Sequence, residues 1–220
     1  MPNRCELRSL LSLQTRLPAL PERHPFINVF NGWYWTATTA TISPAHAWNV
    51  ALDGGRMFYG GKDQSFMVWP VRGEGLGVIP RTGQCRCYDA AGKVIACSGS
   101  GQDGEWRYGA AWPKPRFEIL RDGVLDRLTR LLWRRSANLT AQPGVWRVAL
   151  AAVAELNQEG AAICWRLPTI NELEVLVDCA SHSPALPSGH PFTEVSECRR
   201  AQDAKRDIPV PLSPCARRQP

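Results

Sequence analysis

"TRLPALPERHPFINV" runs from Thr15 to Val29, and "SHSPALPSGHPFTEV" runs from Ser181 to Val195. At an offset of 166 residues (172 minus 6), residues 6–29 align without a gap on residues 172–195, and 11 of these 24 pairs are identical. A match of this length within one chain of 220 residues indicates a duplicated unit. The residues on either side of each copy therefore decide the fold.

Each copy begins with the signature of a capped helix. Thr169 and Glu172 form a capping box in the second copy, and Asn3 and Glu6 form one in the first. Leucines spaced three and four residues apart follow on one helix face. The Pro-bounded "PALP" segment cannot continue a helix. The sequence thus predicts two short helices of the same design.

The stretch after the first copy is typical of β-strands. "GWYWTATT" (32–39) is aromatic and β-branched, and "AWNVALDGGRMFYGG" (47–61) has two strand-like halves around Asp53-Gly54-Gly55, a hairpin signal. "SFMVWPVRG" (65–73) is predicted as a further strand, with Pro70 near its end. These stretches predict a three-stranded antiparallel meander with a Trp-rich face.

Strand alternation assigns the aromatic residues of the meander to opposite faces. Trp33 and Trp35 share one face, and Tyr34 points to the other. Large aromatic side chains bury much apolar area, so we expect the two tryptophans to face the core.

The region before the second copy has a different pattern. Cys87 and Cys97 bracket "YDAAGKVIA", a hairpin whose ends could be joined by a disulfide or could hold buried free thiols. "PRFEIL" (115–120) and "LTRLLW" (128–133) are strand-like, and a helix is predicted from about residue 143 to 157. Residues 74–81 are predicted to be a linker.

Composition favours an α+β fold with many turns. The chain is 44% hydrophobic and 21% charged, with nine Trp, 18 Gly and 18 Pro. The net charge of +6 could attract acidic polysaccharide, anionic membrane or nucleic acid, but much of the excess lies in the last 22 residues. No apolar stretch is long enough to cross a bilayer, and the opening residues lack the apolar region of a signal peptide.

Catalytic and metal-binding motifs are not found in the sequence. Nucleophile-elbow, zinc-protease and P-loop patterns are missing, and no Cys or His spacing completes a tetrahedral metal site. The four His are scattered. The sequence therefore predicts a protein without enzymatic activity, cofactor or metal.

Polar and aromatic residues on and around the meander are the candidates for ligand contact. Aromatic rings stack on sugars, Asn and Asp accept hydrogen bonds from hydroxyls, and Arg and Lys pair with sulfate or carboxylate groups. The candidates are Tyr34, Trp48, Asn49, Asp53, Arg56, Tyr59, Lys62 and Asp63.

An ordered series of motifs resembles the Lcl C-terminal domain family (DUF1566). The matching stretches are "TGQCRCYDAAGKVIACSGSGQDGE" (82–105), "WPKPRF" (112–117), "DRLTRLLW" (126–133), "WRLPTINELEVLVD" (165–178), the two "PALP" segments, "WYWTATT" (33–39), "AWNVALDG" (47–54) and "VWPVRG" (68–73). Arg130 stands where the family has a turn-forming Gly.

The resemblance implies that residues 1–73 are the back half of one unit and residues 82–195 the front half of the next. Together they would form a circularly permuted domain with a shared core, within one chain or exchanged between two. The fold implied is an α+β, C-type-lectin-like antiparallel sheet with two or three short helices. Residues 196–220 are predicted to be a disordered basic tail. The family pattern keeps Cys87 and Cys97, so we expect them to pair in an oxidising compartment.

The function implied is non-catalytic binding or adhesion, with an acidic or sulfated glycan as ligand and homo-oligomerisation by half-domain exchange. No specific nucleic-acid partner is predicted. The family implies a secreted or surface location, whereas the chain as written implies a cytoplasmic one. Two alternatives are a truncated gene remnant without selected function and a relative of the formylglycine-generating enzyme.

Overall fold

The computed structural model describes residues 1–73, 77–158 and 164–195, which adopt a mixed α+β fold as predicted. The helices are α1 (Arg4–Ser9), α2 (Asp103–Trp106), α3 (Trp146–Gln158) and α4 (Ile170–Leu176). The strands are β1 (Trp33–Thr39), β2 (His46–Ala51), β3 (Met57–Gly61), β4 (Cys87–Tyr88), β5 (Val94–Ile95), β6 (Phe117–Leu120), β7 (Gly123–Asp126) and β8 (Leu131–Trp133).

Strands β1, β2 and β3 form the predicted three-stranded antiparallel meander. Trp48 of β2 lies opposite Tyr59 of β3, and Tyr34 of β1 lies opposite Val50 of β2. The turn between β2 and β3 contains Gly54, whose φ of 97° lies in a region that disfavours other residues. The hairpin signal at Asp53-Gly54-Gly55 therefore predicted this turn correctly.

Residues 65–73 do not form the predicted strand. Met67 makes a single parallel bridge to β1, in which the Trp35 N–H donates to the Met67 carbonyl at 2.9 Å and the Met67 N–H donates to the Trp33 carbonyl at 3.0 Å. Pro70 lacks an N–H group and cannot extend this ladder. The prediction of a strand here was wrong, although the segment still lies beside β1.

The apolar core lies between α1 and one face of the meander. Leu7, Leu20, Tyr34, Val50 and Leu52 pack together, and each is at most 5% exposed. The two capping boxes are present as predicted at the starts of α1 and α4. The position of α1 decides which face of the sheet is the interior.

The tryptophans of β1 lie on the face opposite this core. Trp33 and Trp35 are half-buried and contact Phe66, with ring centroids 6.4 and 4.6 Å apart respectively. Tyr34 takes the core position, so the expectation that the tryptophans face the core was wrong. The cause is the packing of α1 on the Tyr34 face.

The second segment contains a disulfide-closed hairpin and a separate sheet. Strands β4 and β5 pair, and Cys87 and Cys97 are joined with a Cα–Cα distance of 5.2 Å, which confirms the predicted disulfide. Strands β6, β7 and β8 form an antiparallel sheet, in which β7 was not predicted from the sequence. Arg116 forms a buried ion pair with Asp126 of β7 at 3.1 Å and also donates to the Val175 carbonyl at 2.8 Å.

The two segments meet through buried polar contacts. The Thr38 hydroxyl donates to the Asp103 carboxylate at 2.7 Å, and the Thr39 N–H donates to the Gln84 side chain at 2.7 Å. Gln84 in turn donates to the Thr39 carbonyl at 3.0 Å. The meander thus packs against residues 82–179 through buried polar groups, whereas the apolar core cluster contains only residues from 1–73.

Some predictions fall partly or wholly outside the described residues. The basic tail (196–220), with Cys198 and Cys215, lies outside them, as does part of the predicted linker, of which 77–81 are described. Among the helices of the described ranges, none is long and apolar enough to cross a membrane.

Candidate functional site

The eight candidate ligand residues occupy four different environments on the meander. Residue type and closeness in sequence, which made them candidates, do not place side chains in one site. Tyr34 and Asn49 are buried, on opposite faces of the sheet. Trp48 and Tyr59 lie on the α1 side of the sheet. Asp53 and Arg56 lie at the β2–β3 turn, and Lys62 and Asp63 lie at the opposite end of β3. The structure therefore does not join them into one site.

Tyr34 and Asn49 are structural residues. Tyr34 is 5% exposed, and its hydroxyl accepts a hydrogen bond from the Phe30 N–H at 2.8 Å. Asn49 is 1% exposed. Oriented to satisfy both contacts, its amide donates to the Phe58 carbonyl and accepts from the Gly60 N–H. Because its amide donor and its amide acceptor both form hydrogen bonds within the sheet, this buried side chain is not suited to bind a ligand.

Trp48 and Tyr59 lie on the side of the sheet covered by α1. Their rings meet edge to face, with centroids 5.5 Å apart. The guanidinium carbon of Arg4 lies 4.2 Å from the centre of the Trp48 ring, a cation–π contact that occupies one face of the indole. Both residues are half-buried.

Lys62 connects the meander to the disulfide hairpin. Its ammonium donates to the Tyr88 carbonyl at 2.8 Å and to the Asp89 carbonyl at 3.3 Å. Partial burial lowers the pKa of Lys62. The neighbouring Asp63 is exposed. The main role of Lys62 is therefore structural: its ammonium group connects the two segments.

Asp53 and Arg56 form an exposed pair at the turn between β2 and β3. The Arg56 guanidinium donates to Asp53 at 2.7 Å, and its carbon lies 5.5 Å from the centre of the Trp33 ring. Surface ion pairs of this kind contribute little to stability, so the guanidinium can exchange Asp53 for another anion at low cost.

Sequence reasoning missed two aromatic residues that belong to the same face. Phe58 lies opposite Asn49 in the antiparallel register, which puts it on the outer face with Trp35, and it is 59% exposed. Phe66 packs against both Trp33 and Trp35. We call this surface the outer aromatic face; it consists of Trp33, Trp35, Phe58 and Phe66, with Arg56 at one end. Cross-strand alternation could have identified Phe58, but Phe66 follows β3 and its placement needed the structure.

Two of the four free thiols in the described residues are poor nucleophile candidates. Burial disfavours the thiolate and is the main reason that the pKa of Cys5 is raised to about 12 and that of Cys179 to about 11. Cys85 and Cys164 are exposed. No group of three or more His, Cys, Asp or Glu side chains that could hold a metal ion occurs in ranges 1–73, 77–158 and 164–195.

Comparison with known families supports the motifs within residues 1–72 and from residue 122 onward, whereas the stretches 82–105 and 112–117 lie outside the matched regions. The Lcl C-terminal domain profile matches residues 1–72 and again residues 122–211. The chain belongs to this family. The two matched regions correspond to the two copies of the repeat, and residues 73–121, with the disulfide hairpin, lie outside both. No curated protein and no solved structure matches the chain.

Proposed function

We propose that this Lcl C-terminal domain protein is a non-catalytic binding module for acidic or sulfated glycans, and that the outer aromatic face is its contact surface. The observation that carries the proposal is the Arg56 guanidinium, which lies beside Trp33 at the edge of that face. An aromatic platform flanked by an exposed cation suits a sugar ring that carries sulfate or carboxylate.

Several features support this proposal. Trp35 of β1 and the exposed Phe58 of β3 lie on the two strands that flank β2, each opposite Asn49. The net charge of +6 favours approach of a polyanion.

Heparin affinity chromatography tests the proposal. Retention should fall steeply as salt rises, because exposed charge pairs are screened at high ionic strength. Arg56→Ala and Trp33→Ala should both elute at lower salt than the wild type. Arg121→Ala, which removes another exposed charge, between β6 and β7, is the matched control and should elute close to the wild type.

The basic tail has to be separated from the domain in this experiment. A protein ending at Val195 should keep most of the retention if the outer aromatic face is the site. Loss of all retention on that truncation would assign heparin binding to residues 196–220. Equal losses in Arg56→Ala and Arg121→Ala would show a general charge effect and would refute the outer aromatic face as the site.

We also propose that the chain forms a homo-oligomer by exchanging its meander half between copies. The supporting observation is an open apolar groove of about 510 Å³ in the second segment. Its lining includes Trp133, Leu156, Leu173, Leu176 and Phe192. Light scattering coupled to size-exclusion chromatography should then show a dimer or larger species. A monomer over a wide concentration range would refute it.

A further inference from the structure

The turn between β2 and β3 holds Asp53 and Arg56 close to each other. The Ala51 N–H donates to the Arg56 carbonyl at 2.8 Å, and the Gly55 N–H donates to the Ala51 carbonyl at 3.1 Å. These two backbone hydrogen bonds close the turn without any contribution from the two charged side chains. The Asp53 carboxylate therefore stays within reach of Arg56 whatever else the guanidinium binds.

The Arg56 guanidinium already makes two contacts in this structure. It donates to the Asp53 Oδ2 at 2.7 Å, and its carbon lies 5.5 Å from the centre of the Trp33 ring, within the range of a cation–π contact. Trp33 lies opposite Ala51 in the antiparallel register, next to the same turn. The cation that is proposed to bind an acid group of the ligand is thus paired with an acid group of the protein itself.

The two partners of this pair differ in their freedom to leave it. The Arg56 side chain is 63% exposed, whereas that of Asp53 is 36% exposed. The Asp53 Oδ1 is buried and has no hydrogen-bond partner among the described residues, in which Arg56 is also the sole ion-pair partner of Asp53. A ligand can therefore draw the guanidinium away, while the Asp53 carboxylate remains at the turn.

An acid group of a ligand meets two unfavourable effects at this position. It has to replace Asp53 as the hydrogen-bond acceptor of Arg56, and it then lies close to a carboxylate of the same sign. A neutral sugar that stacks on the aromatic residues meets neither effect, because it leaves the Asp53–Arg56 pair intact. The Asp53 carboxylate thus opposes acidic ligands and not neutral ones.

We propose that Asp53 is a specificity-determining residue of the outer aromatic face, because it competes with the acid group of the ligand for Arg56. This inference rests on the proposed function and adds where the acid group binds, which is the position that the Asp53 carboxylate occupies on Arg56. Specificity is a difference between affinities, and a group that opposes one class of ligand changes that difference. Asp53 therefore lowers the preference of the face for acidic over neutral sugars.

Binding of the full chain to immobilised heparin, measured by biolayer interferometry, tests this inference. Asp53→Asn should bind about two- to fivefold more tightly than the wild type, as expected when a weak exposed ion pair no longer competes. Asp122→Asn, which removes an exposed carboxylate between β6 and β7, is the matched control for net charge and should bind close to the wild type. In an Arg56→Ala background, Asp53→Asn should gain no more than Asp122→Asn does, because the cation for which Asp53 competes is gone.

The outcomes distinguish this inference from the proposed function. If Arg56→Ala leaves heparin binding unchanged, the outer aromatic face is not the site and both proposals are refuted. If Arg56→Ala weakens binding but Asp53→Asn gains no more than Asp122→Asn, only the role of Asp53 is refuted.

Two further results would also overturn the role of Asp53. Weaker binding by Asp53→Asn, with an unchanged urea midpoint, would mean that Asp53 positions Arg56 for the ligand and does not compete with it. An equal gain of Asp53→Asn on dextran, a neutral polysaccharide, would show that the effect does not depend on the acid groups of the ligand.

Discussion

The two copies of the repeat have nearly the same local structure and very different burial. The Ser12 N–H donates to the Ala19 carbonyl in the first copy, and at the same offset the Asp178 N–H donates to the Ala185 carbonyl in the second. Yet Leu7 is 1% exposed, whereas its equivalent, Leu173, is 43% exposed. Local sequence is enough to form the helix and its cap, but burial depends on what packs against it.

The covering element explains the difference. Strands β1 to β3 follow the first copy and bury the apolar face of α1. Helix α4 has no buried residue, and its leucines line the open groove. The same short helix is thus part of a core in one place and a surface element in the other, which matches the rule that tertiary packing supplies most of the stability of short helices.

The largest expected effect is the contrast between Leu7→Ala and Leu173→Ala. Leu7→Ala should lower the free energy of unfolding by about 3 kcal/mol, because it leaves a cavity in the core. In the monomer, Leu173→Ala should cost less than about 1 kcal/mol, because the side chain is then partly in solvent. Urea denaturation of both variants, at a protein concentration low enough to keep the chain monomeric, measures the difference. Equal costs at that concentration would contradict the exposed position of Leu173, whereas a cost of Leu173→Ala that rises with protein concentration is expected if meander exchange covers α4.

Arg4 joins the two copies, and its replacement should have the next largest effect. Its guanidinium lies 2.5 Å from the Glu174 carboxylate and 3.5 Å from the Cys179 sulfur, and its side chain is 7% exposed. Arg4→Met should cost about 2 kcal/mol, because the partly buried Glu174 loses its partner.

The control for this prediction is Arg8→Met on the same helix. Arg8 is also buried, but it forms no ion pair with a described residue, so the variant should be less destabilised than Arg4→Met. A larger loss for Arg8→Met in urea denaturation would contradict the role assigned to the Arg4–Glu174 pair.

These contrasts show what the sequence could and could not predict. The capping boxes, the hairpin turn at Gly54 and the Cys87–Cys97 pair depend on residues close in the chain, and the structure has all of them. The inward face of β1 was assigned wrongly because aromatic residues occupy both faces, so alternation alone could not decide between them.

The candidate site was harder to predict for a related reason. The outer aromatic face depends on Phe66, which follows β3 but packs on Trp33 and Trp35 of β1. Contacts of this kind carry no local pattern.

A smaller effect should come from a turn that the copies form with different residues. Arg23 has a φ of 59°, and its equivalent, Gly189, has a φ of 73°. Arg23→Gly should stabilise the protein by about 0.5 kcal/mol, and Gly189→Ala should destabilise it by about 1 kcal/mol, because left-handed backbone disfavours a Cβ atom.

Nothing lies within 4 Å of a Cβ placed on Gly189, so the expected loss comes from the backbone alone. Arg16→Gly, at an exposed position without a positive φ, is the control and should not stabilise. Thermal unfolding of the three variants gives the comparison. Stabilisation by Arg16→Gly of the same size as by Arg23→Gly would remove the backbone explanation.

The smallest expected effect concerns the ion pair that only the second copy has. The hydrogen bonds from Arg166 lower the pKa of Glu172 from 4.5 to about 2 in the folded protein. A carboxyl group with a lowered folded pKa stabilises the protein above its unfolded pKa, and that contribution is lost as the pH falls from about 4.5 towards 2. The urea midpoint of the wild type should therefore fall more steeply across this range than that of Glu172→Gln.

Arg166→Gln should flatten the curve by a similar amount, and the double variant should resemble either single one, because both remove the same pair. The effect should be small, since the Arg166 side chain is 57% exposed and solvent screens the pair. Parallel curves for the wild type and Glu172→Gln would show that the pair does not persist in solution.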